Sequence, residues 1–295
     1  MSRRTVSVLG FILLGAVALA CDRSKSGPTA ASTLTLVGGS GQTGPWGSAL
    51  ATPFVVAAAD SNGNPVSGVV VTWAVATGAG SLSLSTSSTQ VNGQASTVAT
   101  LGTAGVSTFT ATSNGLAGSP VTFSATGTGL VYTDPPAGGK IALARDSSST
   151  ATTVVLRLVA NTTLTGYYIG FNLPLDPTKV QLSATAPFTP GPALAAGSAP
   201  IAAKAVLPTT GPLAGVLVAG QSQKAAGAGA VPSDTAVSPA AIFYTVRLDA
   251  VAGASPGVVF DGSALGPRFG AGMRNKSDTD VAVSTDFAIG KLTLY

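Results

Sequence analysis

The sequence predicts an all-β protein: two β-sandwich domains in tandem behind a signal peptide. Three observations lead there. Gly, Ala, Ser, Thr and Val dominate, with 37 Gly and 19 Pro in 295 residues and only 9% charged side chains, a composition suited to short strands and many turns. No segment carries a long apolar repeat at the helical period, whereas alternation at period two recurs along the chain. A Pro- and Gly-rich stretch, "LVYTDPPAGGK", divides a length sufficient for two domains of ordinary size.

The N-terminus comes first. Met1-Ser2-Arg3-Arg4 is a short basic segment, and Thr5 to Ala20 is apolar or small throughout. That is the build of a secretory signal peptide over residues 1–20; it falls short of the roughly 20 apolar residues a membrane span needs. Cys21, the one cysteine of the chain, follows immediately. Alone it can form no intramolecular disulfide and no metal site. Ala18-Leu19-Ala20-Cys21 resembles the lipobox of bacterial lipoproteins, although the family prefers Leu where Ala18 stands. The resemblance implies that Cys21 becomes the first mature residue and carries acyl chains, and that the membrane is a partner through this anchor. Each buried methylene contributes about 0.8 kcal/mol, so two or three chains hold where one dissociates. An ordinary signal peptide cut after Ala20 is the competing reading. Asp22 favours inner-membrane retention in some Gram-negative lineages only, so inner membrane, outer membrane and cell surface stay open. Residues 21–32 read as a flexible tether.

Composition also bounds the chemistry. The chain has no His, and every acidic side chain is Asp. The commonest general acid–base residue and one of the two carboxylic acids are therefore missing, which weighs against an enzyme. A polysaccharide hydrolase would need two carboxyl groups set about 5–9.5 Å apart, and no Asp pair sits in an apolar setting. Without Arg3 and Arg4, thirteen basic side chains face eleven acidic ones. No basic run accompanies this small excess, so no nucleic-acid partner is expected. No cofactor is expected either.

The first sandwich is expected over residues 33–128. Val69, Val71, Trp73 and Val75 alternate with Val70, Thr72, Ala74 and Ala76, which places the first set on one strand face, and the bulk of Trp73 marks that face as core. Phe54 with Val56, Phe109 with Ala111, and Val121 with Phe123 and Ala125 give three further strands. Trp46, in "TGPWGSA", reads as a loop residue of little structural weight. "DSNGNPVSG" is a turn, with Asn62-Gly63 supplying positive φ. Its Asp60, Asn62 and Asn64 do not make an EF-hand loop, which needs Gly sixth and Glu twelfth. "DSNGNPVSGVVVTWAV", "GAGSLS", "VNGQASTVATLGTAGVSTFTAT" and "GSPVTFSATGT" follow, in order, the pattern of the bacterial immunoglobulin-like domains of invasin and intimin. The resemblance implies an immunoglobulin-like sandwich used as a rigid spacer.

Residues 129–136 read as a linker, stiffened by Pro135-Pro136 and released by Gly138-Gly139 beyond it. The second sandwich is expected over 137–295. Val154, Leu156 and Leu158 alternate in its opening strand. In "LTGYYIGFNLPLDPTKVQLS", Tyr168, Gly170, Asn172 and Pro174 share one face while Ile169, Phe171, Leu173 and Leu175 share the other. "AIFYTVRLDAVAG" sets Phe243, Thr245, Arg247 and Asp249 opposite Ile242, Tyr244, Val246 and Leu248. These pieces, with the "VVF" strand that follows, resemble the cohesin-like β-sandwich of scaffoldin cohesins and related carbohydrate-binding modules. Residues 186–212 have no counterpart there. The resemblance implies a dockerin-like protein or a polysaccharide as partner.

Candidate sites are few. Tyr168 is the binding-surface candidate, because Tyr is enriched at interfaces and its neighbours Tyr167, Ile169 and Phe171 take the inner face. Asp278 and Asp280 at i, i+2 are the metal candidates, for Ca²⁺; a solvated loop balanced by Arg274 and Lys276 is the alternative. Ser222 and Lys224 lack the orienting context of a Ser–Lys pair and read as surface loop. The functional expectation is a non-enzymatic cell-envelope lipoprotein, with a spacer and a binding head serving adhesion or scaffolding. A purely structural envelope or surface-layer protein is the alternative.

Overall fold

The computed structural model describes residues 30–195, 201–223 and 232–295. The signal peptide, Cys21, most of the tether and Lys224 lie outside the described residues. Apart from two single-turn 3-10 segments, Pro192–Leu194 and Ser284–Asp286, the regular structure of the described residues is strand. The all-β class and the two tandem sandwiches expected from the sequence are what the chain adopts. Among the described residues no helix is long and apolar enough to cross a membrane.

In the first module, strands Thr33–Gly38, Phe54–Ala59 and Gln94–Thr97 form one sheet. The facing sheet runs Gln42–Pro45, Val121–Thr128, Gly105–Thr112, Val70–Thr77, Thr86–Ser88. Alternation sets the faces: Val71 and Trp73 are buried while Val70 is 59% exposed. Phe54 stands at the centre of the core, 4.6 Å from the Phe123 ring and 5.1 Å from Phe109, and Trp73 packs on Phe123 at 5.9 Å. Such aromatic pairs add about 0.5–1.5 kcal/mol each beyond area burial. The Trp73 indole donates to Ser87 Oγ at 2.9 Å, so its one polar atom is satisfied. In the Asp60 turn the buried carboxylate accepts from the backbone N–H groups of Asn62 and Asn64 at 2.8 and 2.9 Å. Gly63 takes φ +83° there.

The second module is also a sandwich. Its front sheet runs Ile201–Val206, Val216–Gln223, Tyr168–Pro174, Gly270–Arg274, Asp280–Val283. Its back sheet runs Val180–Leu182, Ile242–Ala250, Thr153–Ala160, Ile141–Arg145, Phe287–Ala288. Ile169, Phe171 and Leu173 from the front pack with Leu156, Leu158 and Val246 from the back in one core. Phe243, which alternation groups with Thr245, Arg247 and Asp249, is buried together with its neighbour Tyr244. Leu158 pairs with Tyr244 but Val159 pairs with Ile242, so Phe243 is the extra residue of a bulge and turns inward.

The linker expected over 129–136 is corrected by a strand. Leu130–Thr133 pairs antiparallel with Lys291–Leu294, which also pairs with Gly257–Asp261. Leu130 and Tyr132 belong to the second core. The Tyr132 hydroxyl donates to Leu143 O at 2.7 Å and accepts from Gly290 N at 2.8 Å, and burial pushes its pKa well above the usual tyrosine range. Residues 134–140, with both prolines and both glycines, are a loop inside the second module; Asp134 accepts from Arg145 N and Lys140 donates to Asp286 O. Between strands Val121–Thr128 and Leu130–Thr133 only Gly129 remains. Its φ is +124°, and a Cβ there would fall 2.4 Å from Ala151 O, so the position requires glycine.

Trp46 covers this junction. Its backbone N–H donates to Thr128 O at 3.1 Å and its indole to Leu130 O at 3.2 Å, reaching from the first module to the second. The Arg145 guanidinium lies 5.3 Å from the indole centre, a cation–π contact across the boundary. The weight the sequence denies to Trp46 is thus present, but it concerns the junction and not either core.

A second pattern recurs at the strand connections of the second module. Asp146, Asp176 and Asp261 each accept from the backbone N–H and the hydroxyl of the residue two positions on, Ser148, Thr178 and Ser263. The signal Asp-x-Ser/Thr is legible in "DSS", "DPT" and "DGS". The Ser263 hydroxyl, its N–H and then Lys291 hold the Asp261 carboxyl at about 2. Lys179 and Thr178 lower Asp176, the Ser148 hydroxyl lowers Asp146, and the Val283 N–H lowers Asp286.

Three outcomes follow. Trp73→Ala should lower the stability of the first module by about 3–5 kcal/mol, the usual cost of truncating a buried aromatic, read as a drop in its unfolding midpoint. Trp46→Ala should leave both midpoints near the wild type and broaden the spread of inter-module distances in small-angle scattering. In acid, the four aspartates have lower pKa values folded than unfolded, so the unfolded chain takes up protons first. Their stabilisation is present above the unfolded value of about 3.9 and is lost as pH falls through the folded values. A thermal melt of the second module followed from pH 5 down to pH 2 should show a falling midpoint, with a shallower fall in Asp261→Asn.

Candidate binding face

The outer surface of the front sheet brings together the residues with most chemical variety. Its central strand, Tyr168–Pro174, pairs with Val216–Gln223 on one side and Gly270–Arg274 on the other. Tyr168 stands opposite Ser222 and Arg274, Gly170 opposite Gly220 and Gly272, and Asn172 opposite Val218 and Gly270. Beyond Val216–Gln223, Lys204 stands opposite Gly220 and Val206 opposite Val218. Because period two decides the face, Tyr168 points outward and is 40% exposed, while Ile169 and Phe171 are buried.

Gly170 and Gly220 determine how the Tyr168 ring lies. A Cβ on Gly170 would come 2.5 Å from the Tyr168 hydroxyl oxygen and 3.2 Å from Cζ; one on Gly220 would be 3.9 Å from Cε2. The ring therefore lies across glycine backbone. A trough of about 390 Å³ opens on the side of Lys204, Val218 and Ser222. Another of about 210 Å³ opens on the side of Asn172, Gly270 and Gly272.

The two candidate metal ligands are turned to another use. Arg274 lies 2.6 Å from Asp278 and 3.2 Å from Asp280, so both carboxylates converge on one guanidinium. The Asp278 carboxylate beside it, with Asp280, raises the Arg274 pKa. Among the described residues no three His, Cys, Asp or Glu side chains stand close enough to hold a metal ion. Ser222, expected in a surface loop, sits in the strand Val216–Gln223, and Lys224 is outside the described residues. Sequence reasoning did not reach Lys204, whose strand Ile201–Val206 lies inside the Ala- and Pro-rich stretch 186–212; the signal available was the polar residue at the fourth place of "IAAKAV".

Residues 47–126 match the bacterial Ig-like domain (group 1) family, within the span where the immunoglobulin-like sandwich is expected. Among solved structures, a C-terminal fragment of intimin in complex with the intimin-binding domain of its translocated receptor is 20% identical, with 53% of each chain covered and a TM-score of 0.28. Invasin, described as a bacterial integrin-binding protein, is 20% identical over 84% of this chain and 48% of its own, at 0.30. A type II cohesin dyad from the adaptor ScaA scaffoldin of Acetivibrio cellulolyticus is 12% identical over 88% of this chain and 96% of its own, at 0.32. The chain spans about half the length of the intimin fragment and of invasin. No curated protein sequence matches the chain.

With both carboxylates paired to Arg274, calcium would compete with a guanidinium for them. Millimolar calcium should therefore leave the thermal midpoint of the second module unchanged, where a true site would raise it by mass action. A calcium-dependent rise that disappears in Asp278→Asn would restore the metal reading.

Proposed function

We propose that the protein is a non-enzymatic lipoprotein of the bacterial cell envelope, in which an immunoglobulin-like spacer carries a binding head. Cys21 is acylated once Met1–Ala20 has been removed, and residues 22–32 tether the first sandwich to the membrane. The head is the second sandwich, and its partner is a protein or a polysaccharide, in adhesion or scaffolding. The observation that carries this reading is the contrast between the two outer surfaces. In the first module the larger sheet turns Thr72, Thr110, Thr112 and Thr122 outward with the exposed aliphatics Val70 and Val106 and no aromatic ring, on a domain matching a bacterial Ig-like family. In the second, the front sheet presents an aromatic ring between two troughs, with a lysine beside it. A chain without His or Glu is poorly equipped for general acid–base catalysis, which favours recognition over chemistry.

The anchor is testable in cells. Metabolic labelling with a palmitate analogue should mark the wild type, and the labelled protein should sediment with the envelope. Cys21→Ala should be unlabelled and released. Equal labelling of the two, or of neither, overturns the lipoprotein.

A further inference from the structure

The front face is built to expose one side of a tyrosine. A side chain on a strand ordinarily stands away from its sheet, yet the Tyr168 ring crosses Gly170 and reaches Gly220 because neither has a Cβ. One side of the ring rests on backbone and the other faces solvent. The polar groups around it are unengaged: among the described residues, the side chains of Asn172, Ser222 and Lys204 make no hydrogen bond or ion pair. Arg274, by contrast, is held by Asp278 and Asp280. Among the described residues Lys204 is thus the cation of this face without a partner. It is separated from Gly170 by the single strand bearing Gly220, which at about 4.8 Å per strand places it about 10 Å across the sheet.

Taking the second sandwich as a binding head, we propose that its ligand is an acidic polysaccharide. A pyranose ring lies on the open side of Tyr168, and an anionic group of the same or the next sugar meets the Lys204 ammonium. Asn172 and Ser222 take sugar hydroxyls on either side. Flat rings with apolar faces and polar rims suit an aromatic platform, and a carboxylate on an ammonium makes a charge-assisted hydrogen bond. The two troughs, about 390 and 210 Å³, continue the site past the ring in both directions, as a chain requires and a single sugar does not. A protein partner of standard size would cover about 800 Å² with a desolvated apolar centre. Here the apolar side chains about the ring are only the paired Val206 and Val218 on one side and Val283 on the other, and the floor between them is largely glycine.

The test is affinity electrophoresis of the mature chain, made soluble by Cys21→Ala. It is run through gels containing polygalacturonate, alginate or hyaluronate, with dextran and hydroxyethylcellulose as uncharged controls. Retardation is expected in at least one acidic gel and should weaken with added salt. Tyr168→Ala should weaken it about tenfold, equivalent to about 1.4 kcal/mol, while Tyr168→Phe retains it. Gly170→Val should weaken it by lifting the ring, without removing any polar group. Lys204→Gln should lower affinity and abolish the salt dependence. Thermal midpoints of all variants separate loss of binding from loss of fold. No retardation in any acidic gel, equal retardation in the neutral gels, or an unaffected Tyr168→Ala overturns the proposal. Failure in every gel with Cys21 still labelled leaves the anchored binding head standing and removes only its ligand. Retardation with Cys21 unlabelled does the reverse.

Discussion

The second sandwich depends on one pairing, that of Leu130–Thr133 with Lys291–Leu294. It joins the first strand of the module to the last, and the Tyr132 hydroxyl secures it by bridging Leu143 O and Gly290 N. A buried hydroxyl that both donates and accepts is costly to remove, since two backbone groups lose their partner with it. The same pairing draws Leu130 out of the connection, so the two modules are separated by Gly129 alone. Trp46 then finds Leu130 O within reach, and Arg145 finds the indole. The compact junction is a consequence of where the second module begins.

The cores were largely legible in the sequence, because alternation is a local property. Phe54, Val56, Val71, Trp73 and Phe123 could be assigned inward from their immediate neighbours, as could Ile169, Phe171 and Leu173. The boundary was not legible for the opposite reason. "LVYT" is four residues long, its partner is the far end of the chain, and the prolines behind it give the louder local signal. The burial of both Phe243 and Tyr244 is not legible from alternation, because a bulge is a property of two strands and nothing in "AIFYTV" shows that its partner lacks one residue. The junction role of Trp46 was equally hidden, since it depends on a carbonyl 84 residues away.

The candidate face divides along the same line. That Tyr168 points outward follows from period two. That its ring lies on the sheet does not, because the space is made by Gly170 on its own strand and Gly220 on the next. Lys204 is not legible as a face residue because the Ala- and Pro-rich stretch around it carries no clear alternation, and only pairing with Val216–Gln223 fixes its position. The sequence shows Asp278 and Asp280 as acids and Arg274 as a balancing charge. Their convergence on one guanidinium belongs to the fold of the Asn275 turn, whose side chain accepts from the N–H groups of Ser277 and Thr279.

The single-residue junction also fixes how the molecule answers a pull. Tension carried along the backbone from the first module enters the second sandwich through Gly129, at the start of Leu130–Thr133. That strand lies antiparallel to Lys291–Leu294, with ladder bonds perpendicular to both. Drawn back along its own axis, it loads these bonds side by side, in shear, and not one after another as in peeling. The Tyr132 hydroxyl and the indole of Trp46 bind the same few residues from two further directions. A cohesive element thus sits at the point where such tension enters the second sandwich.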